Sequence, residues 1–445
     1  MDLQDFICAQ ETDNVLRRVK VAVDPYLEIA ALCRREFRSG PQNRVLLFEQ
    51  VTGAAFPLVA NLFGNEARTA QMLRCGTLSE FSQRLVNFFR AEPGSSQQRL
   101  LSRTDDFSAS KTKPLCQQIV AATDVTRLPA ICSWSAEKNP YLTLALLITK
   151  HPETAETNLG LYRAQILDAN HMAVNFSAAS GAAEHYLAAQ RLQQPLPVSL
   201  ILGGDPAWIW AAAAPLPAGC NEFSFCQQLF DTRYQFTDCI SQPLSVPDIA
   251  EMVIEGEIDP LDSCIEGPFG NHTGSFVSRA DCPVMQVTAI THRAQPVVPI
   301  TVVGPPPSEN INLAKANEAL LREMLKIDYP QIRDLLMPLE TIFLGVSLIS
   351  ISSQSVADNR QLIENLWQQS PLARAKLLVL LDEDIDLGSF SQCWWRAINQ
   401  LSSKRIYQDG GKFAIDATGV DPKTLVVENQ QTIELLKRRS SEYNL

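Results

Sequence analysis

The amino-acid sequence predicts a multi-layer α/β protein (α+β in its central part), on three observations. Helical and strand patterns alternate over residues 1–113, strand patterns dominate residues 114–304, and the alternation returns from residue 305 onward. A chain of 445 residues is too long for one compact core, so we expect several domains. Apolar residues make up 46% and charged residues 20%, which is typical of a globular protein.

The first predicted domain, residues 1–113, is an α/β domain. Apolar residues recur at close to a helical period in residues 26–37 and 78–91, and residues 44–51 form a short apolar strand. The polar stretch 92–113 is typical of a loop or a link between domains.

The second predicted domain, residues 114–304, is rich in strands. Residues 141–150 form a nearly continuous apolar run, and Ala169-Asn170 separates two strands as a tight hairpin. The helical pattern at 181–192 is one of few in this region. Many strands with few helices indicate a barrel-like β domain that carries inserted helices.

The third predicted domain, residues 305–428, alternates again. Strand patterns at 341–352 and 375–386 flank a helical pattern at 356–369, which predicts a layered βαβ arrangement. The segment 429–445 reads as a final helix with an apolar face. We expect that face to dock on a neighbouring domain or subunit, which favours a homo-oligomer.

Composition excludes several kinds of partner. The chain carries 38 basic and 49 acidic residues, a net charge of −11, and lacks any run of five Lys or Arg. We therefore expect neither nucleic acid nor an anionic membrane as a partner. The sequence contains neither a secretory leader nor an apolar run of the roughly 18–20 residues that span a bilayer. Eleven scattered cysteines without a Cys-x-x-Cys pair indicate reduced thiols and a cytoplasmic location.

The segment Glu266-Gly-Pro-Phe-Gly-Asn-His-Thr-Gly274 is the first candidate for chemistry. Three glycines and a proline in nine residues predict a turn in which the backbone approaches a ligand closely. Such a turn can hold the Glu266 carboxylate rigidly beside a substrate. The alternative is an ordinary β turn with a surface glutamate.

The segment Asn158-Leu-Gly-Leu-Tyr-Arg-Ala-Gln165 is the second candidate. Strand alternation places Asn158 and Tyr162 on one face, and Arg163 and Gln165 on the other. An arginine among apolar neighbours is costly to bury unless an anion pairs with it, and either a substrate carboxylate or Glu266 would serve. The alternative is a surface arginine.

The segment Gly410-Gly-Lys-Phe-Ala-Ile-Asp-Ala-Thr418 is a weaker candidate. A lysine after two glycines suits phosphate binding, but patterns this short occur often by chance. By itself the segment is more typical of a loop.

Taken together and in this order, the three segments resemble the UbiD family of reversible carboxy-lyases. The likeness covers roughly residues 25–425. It implies an N-terminal α/β domain, a central split β-barrel related to flavin reductases, and a C-terminal α/β domain that helps the chain to oligomerise. Its strongest pieces are Asn158-x-Gly-x-Tyr-Arg-x-Gln165, Glu266-Gly-Pro-Phe-Gly, and Lys412 with Asp416-Ala-Thr418.

The resemblance also implies a cofactor and a substrate class. The cofactor is prenylated FMN, supplied by a flavin prenyltransferase, with a phosphate bound through Mn²⁺ and K⁺. Substrates are unsaturated or aromatic carboxylic acids, among them the 4-hydroxy-3-polyprenylbenzoate of ubiquinone synthesis. The cofactor-binding residues that it implies here are Asn158, Tyr162, Arg163, Gln165 and Lys412.

In this family Arg163 would orient the substrate carboxylate and Glu266 would hold Arg163. We expect the two side chains to meet across a flavin-sized hollow in the central domain. The family's second acid falls at Asn271, whose amide cannot donate a proton as a general acid. His272, Asp262 or a bound water are the candidates to replace that acid.

The metal ligands of the family are an Asn, a His and a Glu. Asn158 and Glu222 match the first and the third, whereas the position of the histidine falls at Ala179. Two ligands make a weak site for a divalent ion, and Mn²⁺ is therefore doubtful. The changes at Asn271 and Ala179 leave a second hypothesis open, a catalytically silent paralogue that binds flavin or a partner subunit.

Overall fold

The structure, a computed structural model, describes residues 1–91, 93–101, 107–110, 112–341, 345–352, 355–420, 426 and 429–443. Parts of the predicted link 92–113 and of the predicted C-terminal segments lie outside the described residues. These parts are residues 92, 102–106, 111, 421–425, 427–428 and 444–445.

The chain forms two compact units. The first comprises Met1–Tyr329 with Leu339–Phe343, and the second comprises Pro330–Pro338 with Leu344–Leu445. The first unit therefore holds both the N-terminal α/β region and the strand-rich region. The domain boundaries placed after residues 113, 304 and 428 from the sequence stay a prediction.

The N-terminal region alternates helices and strands, as its sequence predicts. Capping side chains set helix starts: Asp2 accepts from the Asp5 N–H, and Thr77 from the Glu80 N–H. The elements are α1 (Leu3–Thr12), β1 (Leu16–Val23), α2 (Glu28–Phe37), β2 (Val45–Val51), β3 (Leu58–Ala60), α3 (Glu66–Met72), α4 (Leu78–Arg90), α5 (Ser96–Leu101) and β4 (Ser108–Ala109).

The strand-rich region follows directly. Its helices are α6 (Gly181–Leu192), α7 (Ala207–Ala211), α8 (Glu222–Leu229) and α9 (Asn310–Asp328). Its strands are β5 (Ile119–Ala121), β6 (Tyr141–Lys150), β7 (Thr157–Ile166), β8 (His171–Asn175), β9 (Leu196–Leu202), β10 (Gln235–Asp238), β11 (Ser245–Pro247), β12 (Met252–Gly270), β13 (Phe276–His292) and β14 (Val298–Ile300).

Six of these strands close into an antiparallel barrel. The order around the barrel is β12-β9-β6-β7-β8-β13, and β12 pairs with β13 to close it. Closure removes the sheet edges that would otherwise be open to pairing. Two smaller sheets lie beside it, one of order β1-β2-β3-β14 and one of order β11-β10-β4. The expected hairpin joins β7 to β8 at Ala169-Asn170.

Two apolar cores flank the barrel wall. Alternate residues such as Leu147, Ala164 and Val174 fill the barrel interior, whereas Leu146 and Leu159 point outward. The outward residues pack with α1, α4, α7, α8 and α9 around Trp208 and Trp210. Apolar cover on both faces explains why β6 is an almost unbroken apolar run in the sequence.

The second unit is a five-stranded sheet of order β15-β16-β17-β19-β18 with helices. Its helices are α10 (Val356–Gln369), α11 (Phe390–Asn399) and α12 (Gln430–Arg438). Its strands are β15 (Ile332–Leu336), β16 (Val346–Ile351), β17 (Leu377–Asp382), β18 (Ile406–Asp409) and β19 (Lys412–Asp416). Together, the two units confirm the predicted fold class. No helix in the described parts of the chain has the length and apolar character needed to cross a membrane.

One local expectation is wrong. The segment Glu266–Gly270 is the end of strand β12, and the turn is confined to Asn271–Gly274. The glycines do not end the strand because its register against β13 shifts on both sides of Glu266. Gly267 has a φ of +109°, and a Cβ there would come within 2.8 Å of the Val277 carbonyl oxygen.

Candidate functional site

Arg163 on β7 and Glu266 on β12 form a two-pronged ion pair. Arg163 Nε donates to Glu266 Oε1 at 2.7 Å, and Arg163 Nη2 donates to Glu266 Oε2 at 2.8 Å. The planar guanidinium matches the carboxylate edge to edge, which is the strongest geometry for such a pair. The two residues are 103 positions apart in sequence and meet because the barrel closes.

The exposure of the two side chains determines which of them a ligand can reach. The Glu266 side chain is 0% exposed, whereas the Arg163 side chain is 21% exposed. The alternatives of a surface glutamate and a surface arginine are therefore both wrong. Glu266 occupies the Nε–Nη2 edge of Arg163, and Nη1 has no hydrogen-bond partner among the described residues. Nη1 can therefore donate a hydrogen bond to an incoming anion.

The pair lies on the barrel wall and not in the barrel interior. The flavin-sized hollow that we expect beside it in the central domain stays a prediction. The two side chains are in direct contact, and apolar side chains such as Leu147 and Val174 fill the barrel interior. Arg163 lies opposite Asn175 on the neighbouring strand, on the face that alternates with this interior. A ligand of this pair would therefore bind at the outer face of the barrel wall.

Aromatic side chains enclose the guanidinium. Arg163 lies over the Phe269 ring, 4.4 Å from its centroid, and Tyr141 packs edge-on against Phe269 at 4.7 Å. The Tyr141 hydroxyl is buried without a hydrogen-bond partner in the described structure. Burial and the nearby Glu266 raise the pKa of Tyr141 above its ordinary value, so this phenol keeps its proton.

Gln165, predicted to bind the cofactor, is fully buried beside the pair. Its Oε1 accepts a hydrogen bond from the Gly267 N–H at 3.3 Å. The side chain thus fastens the backbone next to Glu266. Its predicted role towards a cofactor stays a prediction.

Asn271 lies in the turn that follows β12. Its N–H donates to the Ser275 carbonyl, and its Oδ1 is buried without a partner among the described residues. Of the candidates to replace the family's acid, Asp262 is exposed on β12. Burial lowers the pKa of His272, so its imidazole is neutral near pH 7 and a poor proton donor.

Asn158 and Tyr162 lie near each other on the opposite face of β7, as alternation predicts. A Cβ at Gly181 would come within 2.1 Å of Asn158 Oδ1, so Asn158 lies directly against the start of helix α6. Asn158 Nδ2 is a buried donor without a partner in the described structure. Burial raises the pKa of Tyr162, which therefore stays protonated.

Glu222 is also close to this place. Its Oε2 accepts a hydrogen bond from the Leu159 N–H at 2.8 Å, one residue beyond Asn158. The third predicted metal position, Ala179, has no side-chain donor atom. Within the described residues, no group of three His, Cys, Asp or Glu side chains could hold a metal ion. These donors do not fit the three-ligand Mn²⁺ site of the resemblance.

Lys412 belongs to the second unit. It opens strand β19 directly after the Gly410-Gly411 turn, so the expected loop is only two residues long. Its role in cofactor binding stays a prediction.

Two residues near the pair carry no distinctive signal in the sequence. Asn175 Nδ2 donates to Glu266 Oε2 at 2.7 Å. Glu137, 3% exposed, accepts from the Gly270 N–H at 3.0 Å, and burial raises the pKa of this carboxyl. A lone Asn or Glu at a strand end or in a loop is too common a pattern to indicate a site.

The fold and the pair define a class of protein. Along the chain, α/β segments precede and follow a closed antiparallel barrel, whose wall carries an Arg–Glu pair with a buried glutamate and a partly exposed arginine. Three family models match it in order. They are the 3-octaprenyl-4-hydroxybenzoate carboxy-lyase N-terminal domain at residues 7–85, the Rift-related domain of the same enzyme family at 108–306, and its C-terminal domain at 311–423.

Individual proteins agree with these matches. An uncharacterised protein of Archaeoglobus fulgidus is 32% identical over 411 residues, which are 91% of this chain and 85% of that protein. The chain therefore belongs to the UbiD family.

Solved structures share the fold. Vanillic acid decarboxylase of Sedimentibacter hydroxybenzoicus in its closed form superposes with a TM-score of 0.87 at 23% identity, covering 99% of this chain and 98% of that one. An evolved dimeric form of the UbiD-class enzyme HmfF of Pelotomaculum thermopropionicum, in complex with prFMN, gives 0.79 at 22% identity, covering 97% and 98%.

Proposed function

We propose that this protein is a carboxy-lyase that removes CO₂ from an unsaturated or aromatic carboxylic acid. The supporting observation is the Arg163–Glu266 pair. Glu266 fixes the guanidinium through Nε and Nη2, and Nη1 of this partly exposed side chain remains for a substrate carboxylate. An arginine held in this way binds a planar carboxylate at a set angle.

Prenylated FMN, made by a flavin prenyltransferase, is the proposed cofactor. When bound, it supplies the electron sink that decarboxylation needs. One structural observation fits its phosphate: Asn158 Nδ2 is a buried donor without a described partner, directly at the start of helix α6. The N-terminus of a helix favours an anion. Asn158, Tyr162, Arg163, Gln165 and Lys412 remain the proposed cofactor-binding residues.

The roles of the protein groups follow from the reaction R–COO⁻ + H⁺ → R–H + CO₂. Arg163 would orient the carboxylate, and Glu266 would keep Arg163 in place. Both oxygens of Glu266 are already occupied as acceptors, by hydrogen bonds from three donor groups. The proton must therefore come from another acid or from water, because Asn271 is an amide.

The proposal extends to the substrate, the ion beside the cofactor phosphate and the oligomeric state. A polyprenyl-hydroxybenzoate precursor of ubiquinone is the proposed substrate on family grounds. Potassium or water, rather than Mn²⁺, would accompany the phosphate, since Ala179 offers no ligand. A homo-oligomer is supported by α12, where Leu435 and Leu436 remain exposed on an amphipathic helix.

A second candidate function is a silent paralogue that binds flavin or a partner subunit. Asn271 and Ala179 favour it, because an acid and a metal ligand are absent at these two positions. The lyase requires flavin binding and the silent paralogue allows it, so bound flavin alone does not separate the two candidates. Release of CO₂ separates them.

The deciding experiment is co-expression with a flavin prenyltransferase, followed by a visible spectrum and a CO₂-release assay. Cinnamate and 4-hydroxybenzoate serve as probe acids, with Arg163→Met as the inactive control. Flavin absorbance with CO₂ release that Arg163→Met abolishes supports the lyase. Flavin absorbance without release supports the silent paralogue, and Asn271→Glu with Ala179→His should then restore release. A colourless protein contradicts the lyase and favours a silent paralogue that binds a partner subunit.

A further inference from the structure

Asn175, on β8, contacts the carboxylate of the Arg163–Glu266 pair. Its Nδ2 donates to Glu266 Oε2 at 2.7 Å, so this carboxylate accepts three hydrogen bonds from two side chains. Asn175 also lies directly opposite Arg163 in the β7–β8 ladder. The Asn175 amide thus contacts the Glu266 carboxylate from β8, the strand next to the one that carries Arg163.

Arg279, on β13, determines which way this amide points. Its Nη1 lies 3.4 Å from Asn175 Oδ1 and donates to the Phe176 carbonyl oxygen at 2.7 Å. With a cation on one side and a carboxylate on the other, only one amide orientation satisfies both neighbours. Nδ2 must therefore face Glu266.

The four side chains form a chain of hydrogen bonds that runs from Arg163 through Glu266 and Asn175 to Arg279. Arg279 lies opposite Glu266 in the β12–β13 ladder, and Asn175 lies opposite Arg163 in the β7–β8 ladder. The strands β7, β8, β13 and β12 are consecutive around the barrel. Glu266 is therefore held from two sides, by Arg163 and by Asn175.

We propose that Asn175, oriented by Arg279, is a positioning residue that sets the rotation of the Glu266 carboxylate and, through it, the anion-binding face of Arg163. The role of Arg163 in this inference rests on the proposed function. The contact between Asn175 and Glu266 does not depend on it. If the carboxylate rotates, both hydrogen bonds to Arg163 change together. Nη1 would then no longer point in one fixed direction.

The first test compares Asn175→Asp with Asn175→Ala. Asp has the shape of Asn but replaces the donor facing Glu266 with an acceptor, so it repels the carboxylate. If Asn175 only filled space, Asp would be the milder change. If it positions Glu266 through its N–H, Asp is the more severe one.

The readout is the exchange rate of the Arg163 Nε proton with water, followed by NMR in the purified full-length chain labelled with ¹⁵N-arginine. The resonance is assigned with Arg163→Lys. We expect exchange about tenfold faster in Asn175→Ala, from the loss of one hydrogen bond of typical net strength, and faster still in Asn175→Asp. Arg279→Met should fall between the wild type and Asn175→Asp, because the amide can then turn over.

The matched controls are Asn87→Asp and Asn87→Ala, on the exposed face of α4, where the Asn87 side chain accepts a hydrogen bond from Gln83. They make the same chemical changes away from the barrel, and we expect the Arg163 Nε proton to exchange at the wild-type rate in both. Wild-type exchange in Asn175→Asp, or slower exchange than in Asn175→Ala, would overturn the proposal.

Kinetics give the second readout, in the flavin-loaded enzyme with 4-hydroxybenzoate or cinnamate. A misdirected Nη1 weakens substrate binding, so we expect KM to rise about tenfold in Asn175→Asp with a smaller change in kcat. If the wild type releases no CO₂, the proposed function fails, while proton exchange still decides the positioning role. If the wild type turns over and Asn175→Asp has its KM and kcat, the positioning role fails alone.

Discussion

Glu266 and Glu309 are both carboxylic acids in the interior of the first unit, at 0% and 1% exposure, yet their surroundings differ. Glu266 receives both prongs of Arg163 and the amide of Asn175. Glu309, at the start of α9, accepts from the Phe63 N–H at 3.2 Å, and its Oε1 has no partner among the described residues.

The pKa of Glu309 reflects its surroundings. Burial raises the pKa of Glu309 to about 7, since the nearby Arg68 donates to the carbonyl and side chain of Asn43 rather than to Glu309. Burial alone therefore drives a carboxyl group towards its neutral form. At Glu266, by contrast, the barrel supplies three hydrogen-bond donors to the carboxyl oxygens.

The largest expected effect comes from removing the arginine of the pair. Arg163→Met leaves the Glu266 carboxylate buried without a counter-charge, which we expect to lower the free energy of unfolding by about 3–5 kcal/mol. Urea denaturation at pH 7 measures it. Arg191→Met is the control, because Arg191 pairs with Glu153 on the surface and should change stability by about 0–1 kcal/mol. Equal losses in the two variants would contradict the comparison.

Glu309→Gln tests the other acid. The native state holds the Glu309 proton up to about pH 7, whereas the unfolded chain releases it near the ordinary value of 4.5. The unfolded state thus binds fewer protons in this window, so the Glu309 contribution to stability falls as the pH rises from about 4.5 to about 7.

Glutamine does not titrate. The stability of Glu309→Gln relative to wild type should therefore rise across that window, by on the order of 3 kcal/mol. Denaturation curves of both proteins at pH 5 and pH 8 give this difference. If the difference in free energy of unfolding between the two proteins is the same at pH 5 and pH 8, Glu309 does not hold a proton in the folded state.

Gln165→Leu should have a smaller effect. It leaves the Gly267 N–H without its acceptor, and we expect a loss of about 1–2 kcal/mol. The shift in thermal midpoint measures it, with Gln83→Leu on the exposed face of α4 as the control. A wild-type midpoint in Gln165→Leu would mean that this bond does not fasten the strand beside Glu266.

Tyr141→Phe should have the smallest effect. The hydroxyl is buried without a described partner, so its removal should change stability by less than about 0.5 kcal/mol or raise it slightly. Calorimetry decides this. A loss above about 1 kcal/mol would show that the hydroxyl bonds to Glu266 in solution, and that Glu266 has a fourth donor.

The sequence predicted the fold class and one half of the site, for identifiable reasons. The placement of Arg163 and Gln165 on one face follows from the two-residue period of a strand, which a single segment contains. Pairing with Glu266 could be proposed because a buried arginine needs an anion. Asn175 could not be found, since its role depends on the register between β7 and β8, and register is not written in either segment alone.

One further expectation failed for a similar reason. The glycines near Glu266 suggested a turn, but bulges against β13 keep the segment in β12. This outcome depends on how distant strands pair, which local patterns do not encode.

The alternation along β7 also limits how this chain can change length. A one-residue insertion between Thr157 and Arg163 would turn the guanidinium into the apolar barrel interior and bring Tyr162 to the outside. The hairpin tip at Ala169-Asn170 is exposed and lies beyond the paired strand residues, but its two carbonyls accept hydrogen bonds from the Val125 and Val287 N–H groups. An insertion there would disturb these two hydrogen bonds without reversing the faces of β7. In a deletion and insertion scan, tolerance should therefore be greater at the tip than within the strand.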